Sequence, residues 1–360
     1  MGLPATVEAI TIPHTGGIDV MEKSSIPFPH PKPNEFLVKV DYAGVNFIDT
    51  YYRRVVGTKV RVEALIWTSR SGLYPYKSFP AVIGWETAGT ILALPTDPNI
   101  LNHDAFKKQG FKLGGKVASE WLGTHATYIA VPWDHAYSVP DSVSTKIAAA
   151  ALLQGVTALS FTEEAYKLQK GDTILVHTVA GGLGLLLTQL IKKAGATVIG
   201  TTSTPEKAAL AKSYGAEHVI LYRSENTVER VLEITNGRGV DAIYDGVGKD
   251  TFDANFEMIK RKGTIVSLGN ASGAVAPFSL FKLIPKNVKL LRPTMAGYVA
   301  TPEEVAHYGR ELYSLVESGE LQFSIYQEYP FTAAGVQEAQ RDLTGGRTTG
   351  KVIVKVNSDA

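Results

Sequence analysis

A cluster of glycines in the middle of the chain follows one short apolar segment and precedes another. The residues Ala180-Gly181-Gly182-Leu183-Gly184 lie between Thr173–Thr178, a predicted strand, and Leu185–Lys193, a predicted helix. Glycines allow the backbone to turn tightly and approach a pyrophosphate, and the N-terminus of a following helix offers free N–H groups. The order strand, turn, helix therefore predicts a dinucleotide site rather than an ordinary turn.

The residues after the next predicted strand indicate which dinucleotide binds. Enzymes that use NAD usually place Asp or Glu there to bind the ribose hydroxyls. Here Thr197–Thr201 is followed by hydroxyl side chains, Ser203 among them, and then by Lys207. Hydroxyl and ammonium groups accept the 2′-phosphate of NADPH, which a carboxylate repels. We therefore predict NADPH, with Glu206 pointing outward in a first helical turn; the alternative for Lys207 is a solvated surface lysine.

Composition excludes several classes of protein. The chain has 360 residues, enough for two domains with cores of their own, and a net charge of +1. A charge so close to zero argues against strong attraction to nucleic acid or to an anionic membrane. Cysteine is absent, which excludes disulfides and thiolate zinc sites. The longest apolar run, Ile147–Leu153, is too short to span a bilayer. We expect a soluble, cytoplasmic protein, since a reducing compartment requires no cysteine.

The hydrophobic pattern changes twice along the chain. Up to about residue 141, short apolar segments such as Glu35–Tyr42, which alternates as a half-buried strand should, predict a small irregular barrel or sandwich. From about residue 142, strands alternate with helices, which predicts a doubly wound parallel sheet. Its six predicted strands are Thr173–Thr178, Thr197–Thr201, His218–Leu221, Ala242–Tyr244, Thr264–Ser267 and Val288–Leu291. The tail, with a helix at Pro302–Ser318 and a strand at Gly350–Val356, is expected to pack on the N-terminal domain.

Several longer runs resemble one known family. They are Gly44-Val45-Asn46-Phe47-Ile48-Asp49-Thr50-Tyr51, the glycine turn, Ser267-Leu268-Gly269-Asn270-Ala271-Ser272-Gly273 and Arg292-Pro293. Through these motifs nearly the whole chain resembles the zeta-crystallin-like NADPH:quinone oxidoreductases of the medium-chain dehydrogenase/reductase superfamily. The resemblance implies an α/β fold, with a GroES-like catalytic domain at 1–141 and 300–360 and a Rossmann NADPH-binding domain at 142–299. It also implies a homodimer, for which the last predicted strand of the sheet is a plausible edge.

The segment that holds a catalytic zinc in related enzymes differs here. Zinc-dependent relatives place a Cys in the segment corresponding to Gly44–Tyr51 and a His-Glu pair after a glycine, whereas this chain has Asn46 and Gly84-Trp85-Glu86. The resemblance thus implies a metal-free enzyme without a Lewis acid to polarise an alcohol or a simple ketone. We expect an acceptor that is easier to reduce, namely a quinone or an activated enone.

The resemblance also implies roles for single residues. Asn46 and Tyr51 are expected to border the nicotinamide and the acceptor, where they bond or position a carbonyl group; structural hydrogen bonds are the alternative. The other implied cofactor-binding residues are Thr157, Tyr222, Val247, Gly269, Asn270 and Arg347. Arg347 would contact the 2′-phosphate from the tail, although the family motif has its Arg one position earlier, at Gly346.

Two other functions are retained as alternatives. The first is an NADPH-dependent enone or alkenal reductase with the same cofactor site. The second, from another class, is an AU-rich RNA-binding or crystallin-like protein, as some relatives are. The near-neutral charge argues against RNA, and Lys260-Arg261-Lys262 is expected to be a solvated turn. His177, inside a predicted strand, is expected to be a hydrogen-bonded core residue rather than a catalyst.

One segment departs from the family pattern. Residues 54–70 separate Tyr51-Tyr52-Arg53 from Ser71-Gly72-Leu73-Tyr74-Pro75, which otherwise join into a family-like stretch. The segment is rather apolar for a surface loop. It is either a lid close to the active site or an unspliced intron in a gene model, and we favour the second interpretation.

Overall fold

The computed structural model of the protein describes residues 4–54, 76 and 78–357. The chain forms two compact units: unit 1 comprises Met1–Leu153, Val299–Glu320 and Ile325–Ala360, and unit 2 comprises Gln154–Tyr298 and Leu321–Ser324. The domain bounds expected from the sequence stay a prediction. The segment 54–70, apart from the backbone of Arg54, lies outside the described residues. Both interpretations of this segment, a lid or an unspliced intron, therefore stay predictions.

The strands are numbered here in chain order. Within the described residues they are β1 (Thr6–Ile12), β2 (Glu22–Pro27), β3 (Glu35–Val45), β4 (Ala81–Val82), β5 (Glu86–Ala93), β6 (Lys116–Glu120), β7 (Tyr128–Pro132), β8 (Ala136–Val139), β9 (Thr173–Val176), β10 (Thr197–Thr202), β11 (His218–Leu221), β12 (Val240–Asp245), β13 (Ile259–Ser267), β14 (Lys289–Leu291), β15 (Ile325–Pro330) and β16 (Lys351–Lys355).

The α-helices are numbered in the same way. The described residues form α1 (Phe47–Arg54), α2 (Pro98–Asn102), α3 (Asp104–Gln109), α4 (Thr145–Ser160), α5 (Gly182–Lys193), α6 (Pro205–Ser213), α7 (Thr227–Ile234), α8 (Phe252–Met258), α9 (Met295–Tyr298), α10 (Pro302–Glu317) and α11 (Ala333–Thr344). α4 is followed directly by a π-helical turn, Phe161–Ala165. Among all the helices of the described residues, none is both long and apolar enough to cross a membrane.

Unit 1 contains two sheets. A seven-stranded sheet has the order β15-β16-β3-β5-β6-β8, with β7 also paired to β3, and a three-stranded sheet has the order β2-β1-β4. Ile10 of β1 and Phe36 of β3 belong to one buried core, to which both sheets contribute side chains. Leu37, on the opposite face of β3, packs with Val7 and Phe28 in a second cluster. The expectation that β3 is half-buried is therefore wrong, because apolar side chains cover both of its faces.

Unit 2 contains the doubly wound sheet that the sequence predicts. Its strands are all parallel and have the order β11-β10-β9-β12-β13-β14. The central strands bury both faces, with Leu175, Ile243 and Ile265 in a common core. The order reverses between β9 and β12, and ligands of such sheets bind at the carboxyl ends of the strands beside this reversal.

Candidate functional site

The glycine turn follows β9 and begins α5, as the sequence predicts. Thr178 has a φ of 55°, in the left-handed region, and its carbonyl oxygen accepts a hydrogen bond from Gly181 N–H at 2.9 Å. A Cβ atom at Gly184 would lie 2.5 Å from that same carbonyl oxygen, so this position requires glycine. Gly181 caps α5 with extended backbone and without a side-chain hydrogen bond. The first N–H groups of α5 are thus available to an anion.

Most of the residues expected to bind the cofactor lie at one edge of the sheet in unit 2. Because the strands are parallel, the residues that follow them share the carboxyl edge. Those residues are Gly181, Gly182, Leu183 and Gly184 after β9, Ser203 after β10, Tyr222 after β11, Val247 after β12, and Gly269 and Asn270 after β13. Thr157 lies in α4, within the same unit, and is half-buried. The fold therefore brings the candidates after the strands to one edge, while their individual roles stay predictions.

The tip of β10 carries hydroxyl groups and a lysine. Thr204 caps α6 by accepting a hydrogen bond from Lys207 N–H, and Glu206 is exposed in the first turn, as expected. The pKa of Lys207 is lowered from its ordinary value, first by partial burial and second by repulsion from Arg223. Arg223 follows Tyr222 at the end of β11, the strand next to β10. Two cations thus lie near the tip, of which the sequence prediction included only Lys207.

The turn after β12 is held by one buried carboxylate. Asp245 is 1% exposed, and its Oδ1 accepts hydrogen bonds from Val247 N–H at 2.8 Å and Gly248 N–H at 3.2 Å. Its Oδ2 accepts from the Thr251 hydroxyl at 2.8 Å and from Asn255 Nδ2 at 2.7 Å. These bonds fix the backbone of Val247, a predicted cofactor-binding residue.

His177 has hydrogen-bond partners on both ring nitrogens. Its Nδ1 lies 3.0 Å from the Thr201 hydroxyl and its Nε2 lies 2.9 Å from Asn255 Oδ1. The side chain is 5% exposed. His177 is therefore a hydrogen-bonded core residue, as the sequence predicts, and it lies between β10 and the Asp245 carboxylate.

A second polar cluster, formed by Asn46, Glu86 and Lys351, is buried in unit 1. Asn46 Nδ2 donates to Glu86 Oε2 at 2.8 Å, and Lys351 Nζ donates to Asn46 Oδ1 at 2.6 Å. Lys351 also forms an ion pair with Glu86, and both side chains are 1% exposed or less. Glu86 Oε1 accepts from Leu153 N–H at 2.7 Å, so both carboxylate oxygens are engaged. Lys351 was not predicted; it shares a face of β16 with Ile353, which is buried.

The first turn of α1 holds the backbone of Asn46. Asp49 Oδ2 accepts a hydrogen bond from Asn46 N–H at 2.7 Å. Burial raises the pKa of the Asp49 carboxyl to about 7, although this N–H and the charge of Lys351 act in the opposite direction. Tyr51, the other predicted catalytic residue, lies on the same helix and is half-buried. Asn46 is thus held by both its backbone and its side chain.

The residues around Asn46 do not fit a zinc ion. The sequence lacks the thiolates that such sites use. The ammonium group of Lys351 contacts both Asn46 and Glu86, the two oxygen donors that converge there, and a metal cation would be repelled by it. His125 is fully buried nearby, with Nε2 3.5 Å from the Gly44 carbonyl oxygen, and burial lowers its pKa to about 4.

Arg347 has a partner within unit 1. Its guanidinium group donates to Asp342 Oδ1, with Nε at 2.8 Å. The hydroxyl of Tyr329 donates to Oδ2 of the same carboxylate. The Arg347 side chain is 60% exposed. The ion pair gives Arg347 a structural contact, and its contact with a 2′-phosphate stays a prediction.

The fold and the two sets of residues define the class of two-domain dehydrogenases. Residues 32–141 match the family model described as alcohol dehydrogenase GroES-like domain. Residues 182–310 match the model described as zinc-binding dehydrogenase. The first match falls in unit 1, and most of the second falls in unit 2.

Known proteins with similar sequences narrow this class. The quinone oxidoreductase of Pseudomonas aeruginosa is 35% identical, over 94% of this chain and 96% of that protein. The crystal structure of Escherichia coli quinone oxidoreductase complexed with NADPH has a TM-score of 0.85 and 33% identity, and the match covers 97% of this chain and 99% of that one. A 2-haloacrylate reductase from Burkholderia is 28% identical over 97% of this chain and 98% of that protein.

The chain belongs to the quinone oxidoreductase family of the medium-chain dehydrogenase/reductase superfamily, and it is an oxidoreductase. The family and the fold class predicted from the sequence are confirmed.

Proposed function

We propose that the protein reduces quinones with NADPH and requires no metal. The observation that carries the proposal is the carboxyl edge of the sheet in unit 2. It combines a glycine turn, the hydroxyl-bearing tip of β10 and two cations, Lys207 and Arg223. This combination suits a dinucleotide with a third phosphate, since cations and hydroxyls bind phosphate oxygens.

The residues present fit NADPH, the cofactor in the Escherichia coli crystal structure. The N–H groups at the start of α5 bind the pyrophosphate, and Ser203, Lys207 and Arg223 bind the 2′-phosphate. Tyr222, which is 49% exposed, offers its ring to the adenosine. When bound, NADPH supplies a hydride or single electrons from its nicotinamide.

The acceptor is proposed to contact Asn46 and Tyr51 in unit 1. A carbonyl oxygen gains negative charge as it is reduced, and a fixed N–H or O–H donor stabilises that charge. Asn46 is such a donor, because Glu86 and Lys351 hold its amide in place. A quinone needs no metal to activate it, which agrees with residues that do not fit zinc.

Reduction of an activated carbon–carbon double bond is the second candidate. The 28% identity to a 2-haloacrylate reductase favours it, since a haloacrylate carries such a bond. Enones share with quinones a carbonyl group conjugated to a carbon–carbon double bond, and negative charge develops on the carbonyl oxygen in both reductions, so the same donor serves both. An RNA-binding or crystallin-like role gains no support from the net charge of +1.

Turnover of both acceptor classes tests the proposal. The purified protein is assayed with NADPH or NADH as donor, and with 1,2-naphthoquinone or an alkenal as acceptor. We expect a higher kcat/KM for the quinone and for NADPH. A higher kcat/KM for the alkenal would replace the quinone with the enone as substrate class, and turnover of neither would contradict both.

The protein is also proposed to form a homodimer through unit 2. β14 is the last strand of its sheet and pairs only with β13 among the described strands. Leu280, Phe281 and Ile284, which precede it, are 73%, 77% and 60% exposed. An apolar patch beside an open strand edge is typical of a surface that a second copy covers. The cytoplasmic location expected from the sequence stays a prediction.

A further inference from the structure

Lys351 is a costly residue to bury. Its side chain is 1% exposed, and its ammonium group lies between Asn46 Oδ1 and the Glu86 carboxylate. A buried ion pair loses hydration that its attraction only partly restores, and apolar residues of similar size often stabilise a fold as well. Lys351 is therefore better explained by what it does to Asn46 than by stability alone.

The three side chains leave the Asn46 amide one orientation. Its Oδ1 accepts from Lys351 Nζ and its Nδ2 donates to Glu86 Oε2. Exchanging the amide oxygen and nitrogen would place an NH₂ group against the ammonium and an oxygen against the carboxylate, so both contacts would become repulsive. Glu86 cannot turn away, because its other oxygen accepts from Leu153 N–H.

This orientation uses one of the two Nδ2 hydrogens. The second has no hydrogen-bond partner in the described part of the chain, and Asn46 retains 6% exposure. The Lys351 ammonium, which donates to Oδ1, draws electron density from the amide, and this makes the remaining N–H a stronger donor.

We propose that Lys351 is a positioning residue that fixes and polarises the Asn46 amide, so that the second Nδ2–H donates to the carbonyl oxygen of the acceptor. The identity of the acceptor in this inference rests on the proposed function. The orientation of the amide rests only on its hydrogen bonds with Lys351 and Glu86. Lys351 touches Asn46 and Glu86 and acts on the acceptor only through Asn46.

Substitution of Lys351 tests the inference by kinetics. Lys351→Gln retains a hydrogen-bond donor and removes the charge, and we expect kcat for quinones to fall about tenfold while KM for NADPH stays within about twofold. Asn46→Ala is expected to lower kcat about a hundredfold, and adding Lys351→Gln to it should lower kcat no further. Lys351→Arg, which keeps the charge, is expected to recover much of the loss. Lys355→Gln, on the same strand, is the matched control and should leave kcat unchanged.

A spectroscopic measurement tests the inference without turnover. Protein labelled with ¹⁵N-asparagine gives two Asn46 side-chain N–H signals, identified by their absence in Asn46→Ala. We expect Lys351→Gln to shift both signals and to speed their exchange with water. If that variant does not fold, the unsubstituted protein is measured with NADP⁺ and 1,4-naphthoquinone, two oxidised compounds that cannot react with each other. Their binding should shift one of the two Asn46 signals and not the other.

The outcomes separate the inference from the proposed function. Unmoved Asn46 signals in Lys351→Gln, or a kcat equal to that of the unsubstituted protein, would overturn the inference while quinone turnover stands. Absence of quinone turnover with the expected signal changes would instead refute the proposed acceptor and retain the role of Lys351 at Asn46.

Discussion

The hydrogen bond between His177 Nε2 and Asn255 Oδ1, 2.9 Å long, joins the end of β9 to α8. Asn255 Nδ2 also donates to the Asp245 carboxylate, and His177 Nδ1 forms a hydrogen bond with the Thr201 hydroxyl. The turn after β12 and the tip of β10 are therefore connected beneath the carboxyl edge through buried side chains. This connection fixes the positions of turns that are proposed to bind NADPH.

Replacing Asn255 should weaken both the fold and the cofactor site. Asn255→Leu leaves His177 Nε2 without its buried partner and Asp245 Oδ2 with the Thr251 hydroxyl alone, and we expect it to lower the free energy of unfolding by about 2–4 kcal/mol. Urea unfolding and NADPH titration measure the two effects. Asn99→Leu, at an exposed position, is the control and should change neither. Unchanged NADPH affinity in Asn255→Leu would show that the network serves stability alone.

Lys207 and Arg223 should account for the choice of cofactor. Each charge-assisted contact with the 2′-phosphate contributes about 1.5–3 kcal/mol, so Lys207→Ala or Arg223→Ala should weaken NADPH binding about tenfold to a hundredfold. NADH binding should hardly change, because NADH lacks that phosphate. Lys212→Ala, on the exposed side of α6, is the matched control. Equal effects on both cofactors would rule out the phosphate contact.

Asp49 should make stability depend on pH. Its folded-state pKa of about 7 lies above the unfolded value, so the folded protein favours the protonated carboxyl. The stability that Asp49 contributes as a protonated carboxyl is fully present below about pH 4, and it is lost as the pH rises through about 7. Asp49→Asn keeps an oxygen for Asn46 N–H and removes the titration. Between pH 4 and pH 8 the free energy of unfolding of the variant should rise, relative to that of the unsubstituted protein, by on the order of 1–4 kcal/mol.

Urea unfolding at several pH values measures this difference. Asp250→Asn, at an exposed position, is the control and should follow the pH dependence of the unsubstituted protein. Parallel curves for Asp49→Asn and the unsubstituted protein would contradict a raised pKa for Asp49.

Activity should not depend on zinc. The Lys351 ammonium lies where Asn46 and Glu86 would offer oxygens to a metal. Treatment with EDTA should leave quinone turnover unchanged, and metal analysis of the purified protein should find less than stoichiometric zinc. Stoichiometric zinc that is removed together with activity would refute this expectation.

Charge on the exposed apolar patch should separate the proposed dimer. Leu280→Asp combined with Phe281→Asp places two carboxylates beside β14, and we expect dimer dissociation to become at least about a hundredfold more favourable. Light scattering after size exclusion measures the mass. Leu113→Asp is the control, since Leu113 is 68% exposed in unit 1. A dimer that persists in the double variant would place the interface elsewhere.

Unit 2 was predictable because its pattern is local. Each buried strand is a short apolar run that ends at a polar or glycine residue, and His218–Leu221 has the predicted bounds. The predicted bounds are wrong at β13, which begins at Ile259 and not at Thr264. It pairs with β12 at Ile259 and again from Thr264, so Lys260, Arg261 and Lys262 lie in an irregular part of the strand. The predicted solvated turn is thus part of a strand, with Arg261 and Lys262 exposed.

The polar contacts were less predictable because their members are distant in sequence. Arg223 approaches Lys207 only because β11 and β10 are adjacent. Lys351 reaches Glu86 only because β16 and β5 are both neighbours of β3. Sequence alone places a lysine on a strand and gives no account of the carboxylate that will face it.

The pairing of β16 with β3 has a consequence for synthesis on the ribosome. Glu86 and Lys351 are separated by 265 positions, so at roughly 10 residues per second the carboxylate waits on the order of half a minute for its counter-ion. During that time the second half of β3 keeps one open edge, since β16 is the strand that pairs there. The residues of unit 2 emerge in the interval and can fold first. The nascent chain therefore carries an unfinished sheet that chaperones can recognise, and unit 1 closes only after translation has passed β16.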